Sequence, residues 1–171
     1  MSDAMSIDPK FSFRETTDAD VTYVKRLNYL ADVFGDETVT PESGEFLEGM
    51  SFYVGKWDPE NGILVNDDDL DNPAGAAWYI FGDDGHHGVG YVGEDIPELA
   101  IAVETRYQRN GLGAELLRRA ADLAEQRGCP GISLCVHNDN PGARRLYERE
   151  GFELVGEREE NYVAMKRTFG A

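Results

Sequence analysis

The stretch "YQRNGLGAELLRRAADLAEQRG", Tyr107–Gly128, decides how the chain is read. From Gly113 to Gln126 apolar residues recur at helical spacing, and Leu116, Leu117, Ala120, Leu123 and Ala124 form one stripe. Ahead of the stripe stand Gln108, Arg109, Asn110 and two glycines, Gly111 and Gly113. A bend alone needs one glycine. Two at the mouth of a helix keep the backbone bare where the first amides lack internal partners and the dipole is positive. The loop reads as a cradle for an anion such as phosphate, with Arg109 adding charge. A plain glycine turn is the alternative.

Strands flank this unit. "PELAIAV" (Pro97–Val103) leads into it, and "GISLCVH" (Gly131–His137) follows it. A short helix in "NPGARRLYERE" puts Ala143, Leu146 and Tyr147 on one face, and "FELVGE" and "YVAMKRTF" close the chain as two strands. Upstream, "FSFRET" (Phe11–Thr16) alternates as a strand. "TTDADVTYVKRLNYLADVF" offers an Asp cap and apolar residues at Val21, Val24, Leu27, Leu30 and Ala31. A second short helix follows Pro41, carrying Phe46 and Leu47; "GILVN" (Gly62–Asn66) and "GAAWYIF" (Gly75–Phe81) are strands on either side of the acidic turn "NDDDLDN". The order predicts an α/β protein of the α+β kind: a largely antiparallel sheet, helices on both faces and one parallel crossover. One domain over residues 1–171 is expected, with residues 1–10 as a flexible tail.

A second glycine run, "GVGYVG" (Gly88–Gly93), matches the dinucleotide fingerprint letter for letter. It neither follows a strand nor opens a helix, because Glu94, Asp95, Ile96 and Pro97 lead straight into the next strand. Hydride transfer is therefore a poor reading, and the run is a glycine loop.

Charge divides the chain. Residues 1–100 carry 22 acids and 5 bases, residues 101–171 carry 11 of each, and the total is −17. Such a surface repels nucleic acid. Arg outnumbers Lys 12 to 4, and solubility or a salt-rich cytoplasm explains the acids simply, with "NDDDLDN" as a solvated loop. The sharper alternative is that the acidic half collects a cationic substrate while the neutral half accepts an anionic cofactor. Cys129 and Cys135 have neither redox-pair nor zinc-site spacing and read as reduced thiols. No membrane span or signal peptide is present, so a cytoplasmic protein is the expectation.

Two motifs in order resemble a known family. "QRNGLG" fits Q/R-x-x-G-x-G/A, and "NDNPGARRLYEREGF" resembles N-x-x-A-x-x-L-Y-x-x-x-G-F. With "PELAIAV" ahead of them, they look like the GCN5-related N-acetyltransferases (GNAT). The resemblance is strong over residues 75–157 and implies about seven strands and four helices, with the fourth and fifth strands splayed apart. It implies acetyl-coenzyme A in that cleft, its pyrophosphate on the amides of Gln108, Arg109, Asn110, Gly111, Leu112, Gly113 and Ala114. The pantetheine arm would pair with the backbone of Ile101 and Val103, and the Asn140 amide would hold that arm. The implied activity is transfer of an acetyl group to a small-molecule or peptide amine in a ternary complex, and a homodimer also follows from the family. A non-catalytic acyl-coenzyme A sensor is the alternative from another class.

Transfer to an amine needs a base, a donor for the oxyanion and an acid for the leaving thiolate. Glu98 is the candidate base; alternation sets it on the face of Ala100 and Ala102, where small neighbours leave room for substrate. Its rival reading is a rim carboxylate serving a salt bridge or solubility. Tyr147 is the candidate acid from the family motif, with a pure core aromatic as its rival. His86 and His87 read as loop residues with a relay or substrate contact as the alternative, and no metal site is expected. His137 lines the cleft or makes a structural hydrogen bond. Arg144, Arg145 and Arg149 read as a solvated face or as contacts to the cofactor's outer phosphate.

Overall fold

A computed structural model describes residues 6–33, 36–38 and 44–170. Seven strands and four helices alternate as β1 (Phe11–Glu15), α1 (Val21–Asp32), α2 (Gly44–Tyr53), β2 (Gly62–Asp67), β3 (Asn72–Ile80), β4 (Glu98–Val103), α3 (Leu112–Gln126), β5 (Gly131–His137), α4 (Pro141–Arg149), β6 (Glu153–Glu157) and β7 (Tyr162–Thr168). They form one sheet in the order β1-β2-β3-β4-β5-β7-β6. Every pairing is antiparallel except that of β4 with β5.

The parallel pair is also the weakest. β4 meets β5 at one register position, Glu98 with Ser133, where the Ser133 amide donates to the Pro97 carbonyl at 3.0 Å. Beyond Glu98 the two strands share no register partner, whereas β4 pairs with β3 along its whole length. The sheet therefore opens into a V with Glu98 at its closed end, as expected of strands four and five.

Alternation along the strands builds two cores. On one face Tyr79, Leu99, Leu134 and Met165 pack under Leu112, Leu116, Leu117 and Ala120 of α3. On the other, Ala76, Trp78 and Ile80 pack against Val24, Leu27 and Leu30 of α1 and Phe52 of α2. Every residue of the stripe read from the sequence of α3 is buried. The Trp78 indole donates to the Tyr53 carbonyl at 2.9 Å and so fixes the end of α2 on the sheet.

Some local expectations change. β2 runs on to Asp67 and β3 begins at Asn72, leaving a turn shorter than "NDDDLDN". Asp67 is buried and accepts the Tyr107 hydroxyl at 2.6 Å, so this carboxylate is a structural anchor. Phe81 lies outside β3 and is exposed, because the chain there leaves the sheet. The expected tail is outside the described residues over 1–5; Ile7 packs on the α3-side core. Pro41 also lies outside them, and the helix expected after it is α2.

Candidate active site

In the loop before α3 the Gln108 amide donates to the Thr105 carbonyl at 3.3 Å, while the helix start beyond it carries no side-chain cap. Gly111 is the N-cap in the left-handed region at φ 76° and makes no side-chain cap. Arg109, at φ 68°, is also left-handed and exposed. Glycine suits position 111 because a Cβ is strained there. Gly113 has ordinary dihedrals, and an added Cβ would meet only Leu146 Cδ2 at 3.9 Å, which leaves open space before the helix start. Asn110 ties the loop with its own amide, donating to the carbonyls of Tyr107 at 2.9 Å and Gln108 at 3.3 Å. Leu112 is buried beneath the loop. α4, by contrast, is capped: Asn140 Oδ1 accepts the Ala143 amide at 3.2 Å, with Pro141 at the helix start. Capping occupies the Asn140 oxygen and leaves its NH2 as the group available to a ligand. Ile101 and Val103 sit half-buried on the open part of β4, whose β5-side edge is free of β5 beyond Glu98.

Glu98 is not a rim residue. It is 2 % exposed, and Tyr53 of α2 donates its hydroxyl to Oε2. The other oxygen, Oε1, is buried without a hydrogen-bond partner, as is the hydroxyl of its register neighbour Ser133. Burial pushes the carboxyl up to about 7; the Tyr53 hydroxyl, the Gly90 amide and the Arg158 guanidinium pull against that rise. A carboxyl poised there has the proton affinity a base needs near neutral pH.

The rejected fingerprint, "GVGYVG", closes this end of the V. The Tyr53 oxygen accepts the Val89 amide at 3.3 Å. A Cβ at Gly88 would collide with that hydroxyl and lie 2.5 Å from Glu98 Oε1; one at Gly90 would lie 2.6 Å from the Leu134 carbonyl carbon. These glycines thus serve close approach to the sheet. Sequence alone marked them as a loop but left no sign of what they touch.

Tyr147 is 8 % exposed, and its hydroxyl makes no hydrogen bond among the described residues. Burial first, and Cys135 second, push that hydroxyl up, so it stays protonated. Cys135, on the Glu98 face of β5, lies 3.9 Å from the Tyr53 oxygen. Burial and the Glu98 charge push its thiol well up, which removes it as a thiolate nucleophile. Tyr53 escaped the sequence reading because it ends a short helix, and Cys135 was read as a reduced thiol without a place in the site.

The remaining candidates have local partners. His86 Nε2 is 2.9 Å from Ser51 Oγ, and His87 stacks on Tyr91 at 4.4 Å between ring centroids. His137 Nδ1 accepts the Asp139 amide at 3.1 Å. Arg144 faces Glu148 at 3.8 Å, and Arg145 and Arg149 are exposed. Among the described residues no group of three His, Cys, Asp or Glu side chains gathers where it could hold a metal, and no helix is long and apolar enough to cross a membrane. A depression of about 450 Å3 lined by Arg118, Asp122, Arg149, Glu150, Gly151 and Arg167 lies apart from the V.

The profile of the acetyltransferase (GNAT) family matches residues 30–152. A mycothiol acetyltransferase of Beutenbergia cavernae is 34% identical over 118 residues, covering 67% of this chain and 37% of that protein. The Escherichia coli ribosomal protein bS18-alanine N-acetyltransferase is 46% identical over 52 residues, covering 30% of this chain and 35% of that protein. The chain thus spans little more than a third of either relative. In fold it is similar to yncA of Salmonella typhimurium, solved with its cofactor acetyl-CoA: TM-score 0.64 and 17% identity, over 94% of this chain and 95% of that one.

Proposed function

The chain belongs to the GNAT family of acetyltransferases, and from that premise we propose that it transfers an acetyl group from acetyl-coenzyme A to a primary amine by direct attack in a ternary complex. The observation that carries the reading is Glu98, a buried carboxyl near neutral pKa at the closed end of the V. The donor set fits the cosubstrate. The uncapped α3 start and the open space at Gly113 suit a diphosphate, while the free edge of β4 at Ile101 and Val103 suits an extended amide-bearing arm.

Acetyl-coenzyme A supplies the activated acyl carbon. A lysine-like amine has a pKa of about 10.4, so on the order of one molecule in a thousand is nucleophilic at neutral pH. Glu98 meets that demand by taking the amine proton through Oε1, the oxygen without a partner. Tyr147, held protonated and lacking a hydrogen-bond acceptor, gives its proton to the departing sulfur. The sums balance: a C–N bond forms and a C–S bond breaks, and of the two protons the ammonium loses, Glu98 takes one while the other restores the Tyr147 phenol after it has protonated the sulfur. Exposed Asp84, Glu94 and Asp95 on the loop beside Glu98 favour a cationic acceptor. Relatives named for mycothiol and for a ribosomal-protein alanine leave both small-molecule and peptide acceptors within the class.

Calorimetry with coenzyme A and thiol release from acetyl-coenzyme A against an amine panel test the proposal together. Coenzyme A binding is expected to survive Glu98→Gln and Tyr147→Phe, while turnover at pH 7 falls by about 10²–10⁴-fold in Glu98→Gln. Binding without release across the whole panel would make the protein a sensor. Absence of binding would remove the cosubstrate.

A further inference from the structure

The two oxygens of Glu98 are treated differently by the protein. Oε2 takes the Tyr53 hydroxyl, whereas Oε1 is enclosed and unpaired. Tyr53 is itself held at three places. The Trp78 indole donates to its carbonyl at 2.9 Å, the Val89 amide donates to its hydroxyl oxygen at 3.3 Å, and its ring meets Phe52 edge-on at 5.0 Å. Gly88 packs closely against Oε1, and a Cβ there would lie 2.5 Å from that oxygen.

We propose that Tyr53 is the positioning residue of the acetyl transfer: anchored by Trp78 and Val89, it grips Glu98 through Oε2 and leaves Oε1, beside Gly88, as the oxygen that receives the acceptor's proton. The proposal rests on Glu98 being the base. An unanchored carboxylate would rotate freely between its oxygens, and a fixed one spends less of its freedom in reaching the reacting geometry. A phenol donor also keeps the charged form in place without closing the proton-accepting side.

The groups facing Glu98 bound what Tyr53 does. Tyr53 reaches it from α2, Cys135 and Ser133 from β5, Arg158 from the turn after β6, and Gly90 by its amide from the glycine loop. Lys166 of β7 lies opposite Ser133, one strand further away. Cys135 stays neutral, since burial raises its thiol. The Tyr53 hydroxyl likewise stays protonated, since burial raises it well above its usual value. The hydroxyl is the foremost group opposing the rise of the Glu98 carboxyl, ahead of Gly90 and Arg158. Removing it must move Glu98 further up.

Two variants test this. In Tyr53→Phe the midpoint of the Glu98 carboxyl, followed by carbon NMR and assigned with Glu98→Gln, is expected to rise by about one unit. Replacing Tyr53 with 3-fluorotyrosine, a stronger donor of nearly the same shape, is expected to lower it. In turnover, the acid limb of kcat/KM should move with the midpoint. Tyr53→Phe would then lose about tenfold below pH 7 and recover most of it by pH 9. A Tyr that only fills space would leave midpoint and limb where they are in both variants, and that result overturns the proposal. If the wild-type protein released no thiol with any amine, the reading of Glu98 as base would fall, while the carboxyl titration would still decide whether Tyr53 holds Glu98.

Discussion

At the residue scale, Glu98 shows how one buried carboxyl couples stability to pH. Its folded value, about 7, stands above the ordinary 4.5, so the folded protein holds a proton that the unfolded chain has already released over that window. Stability is therefore full below about pH 4.5, declines as pH rises through about 7, and levels off above it. The shift corresponds to roughly 3 kcal/mol. Glu98→Gln, which cannot ionise, should gain about that much relative to wild type between pH 4.5 and pH 8 in denaturant melts. A constant difference across that range would contradict the buried placement. Asp67 runs the opposite way. The Tyr107 hydroxyl holds it below the usual range, so its contribution is lost as the solution is made acid. The sequence marked Glu98 by alternation, yet showed neither its burial nor Tyr53, because the partner comes from 45 residues away.

At the element scale, the two helices that border the V start differently. α4 closes its first turn with Asn140, while α3 starts from a left-handed glycine with no side-chain cap. A helix start left open forgoes about 1 kcal/mol of capping, which is what an anion site requires. Gly111 and Gly113 should then part company. Gly111→Ala places a Cβ at φ 76° and is expected to destabilise by about 1–2 kcal/mol. Gly113→Ala meets open space and an ordinary helical backbone, so its melting point should hold or rise. The family signature admits Ala as well as Gly here, so coenzyme A affinity should hold in Gly113→Ala, whereas Gly113→Leu, which fills the space the small residue leaves, should bind coenzyme A about tenfold or more weakly in calorimetry. Equal affinity in Gly113→Leu would move the diphosphate elsewhere. The open end of β4 is braced separately: Glu104, just after it, accepts from Tyr23 at 2.7 Å and Arg26 at 2.7 Å, both on α1.

At the scale of the whole molecule, charge and architecture run together. The acids crowd the half that builds α1, α2 and the loop over Glu98, and the balanced half builds α3, α4 and β5–β7. With a cationic amine, kcat/KM should fall several-fold between low salt and about 0.5 M salt, while a neutral amine should respond little. A flat response for both would assign the acids to solubility alone. Much of this plan was legible in the chain itself. Periodicity set α3, β4 and β5, and the paired glycines set the helix start, because helical stripes and left-handed turns depend on neighbours within a few residues. The same local reading misjudged Asp67 and left Tyr53, Gly88 and Gly90 without roles. Burial and hydrogen bonding between distant segments arise only when the sheet assembles. The sequence by itself thus determined the elements and the glycine-led start of α3. Tertiary structure alone decided that a glycine run resembling another fold's fingerprint would press against a buried carboxyl, since desolvation and close approach belong to packed surfaces rather than to any stretch of chain.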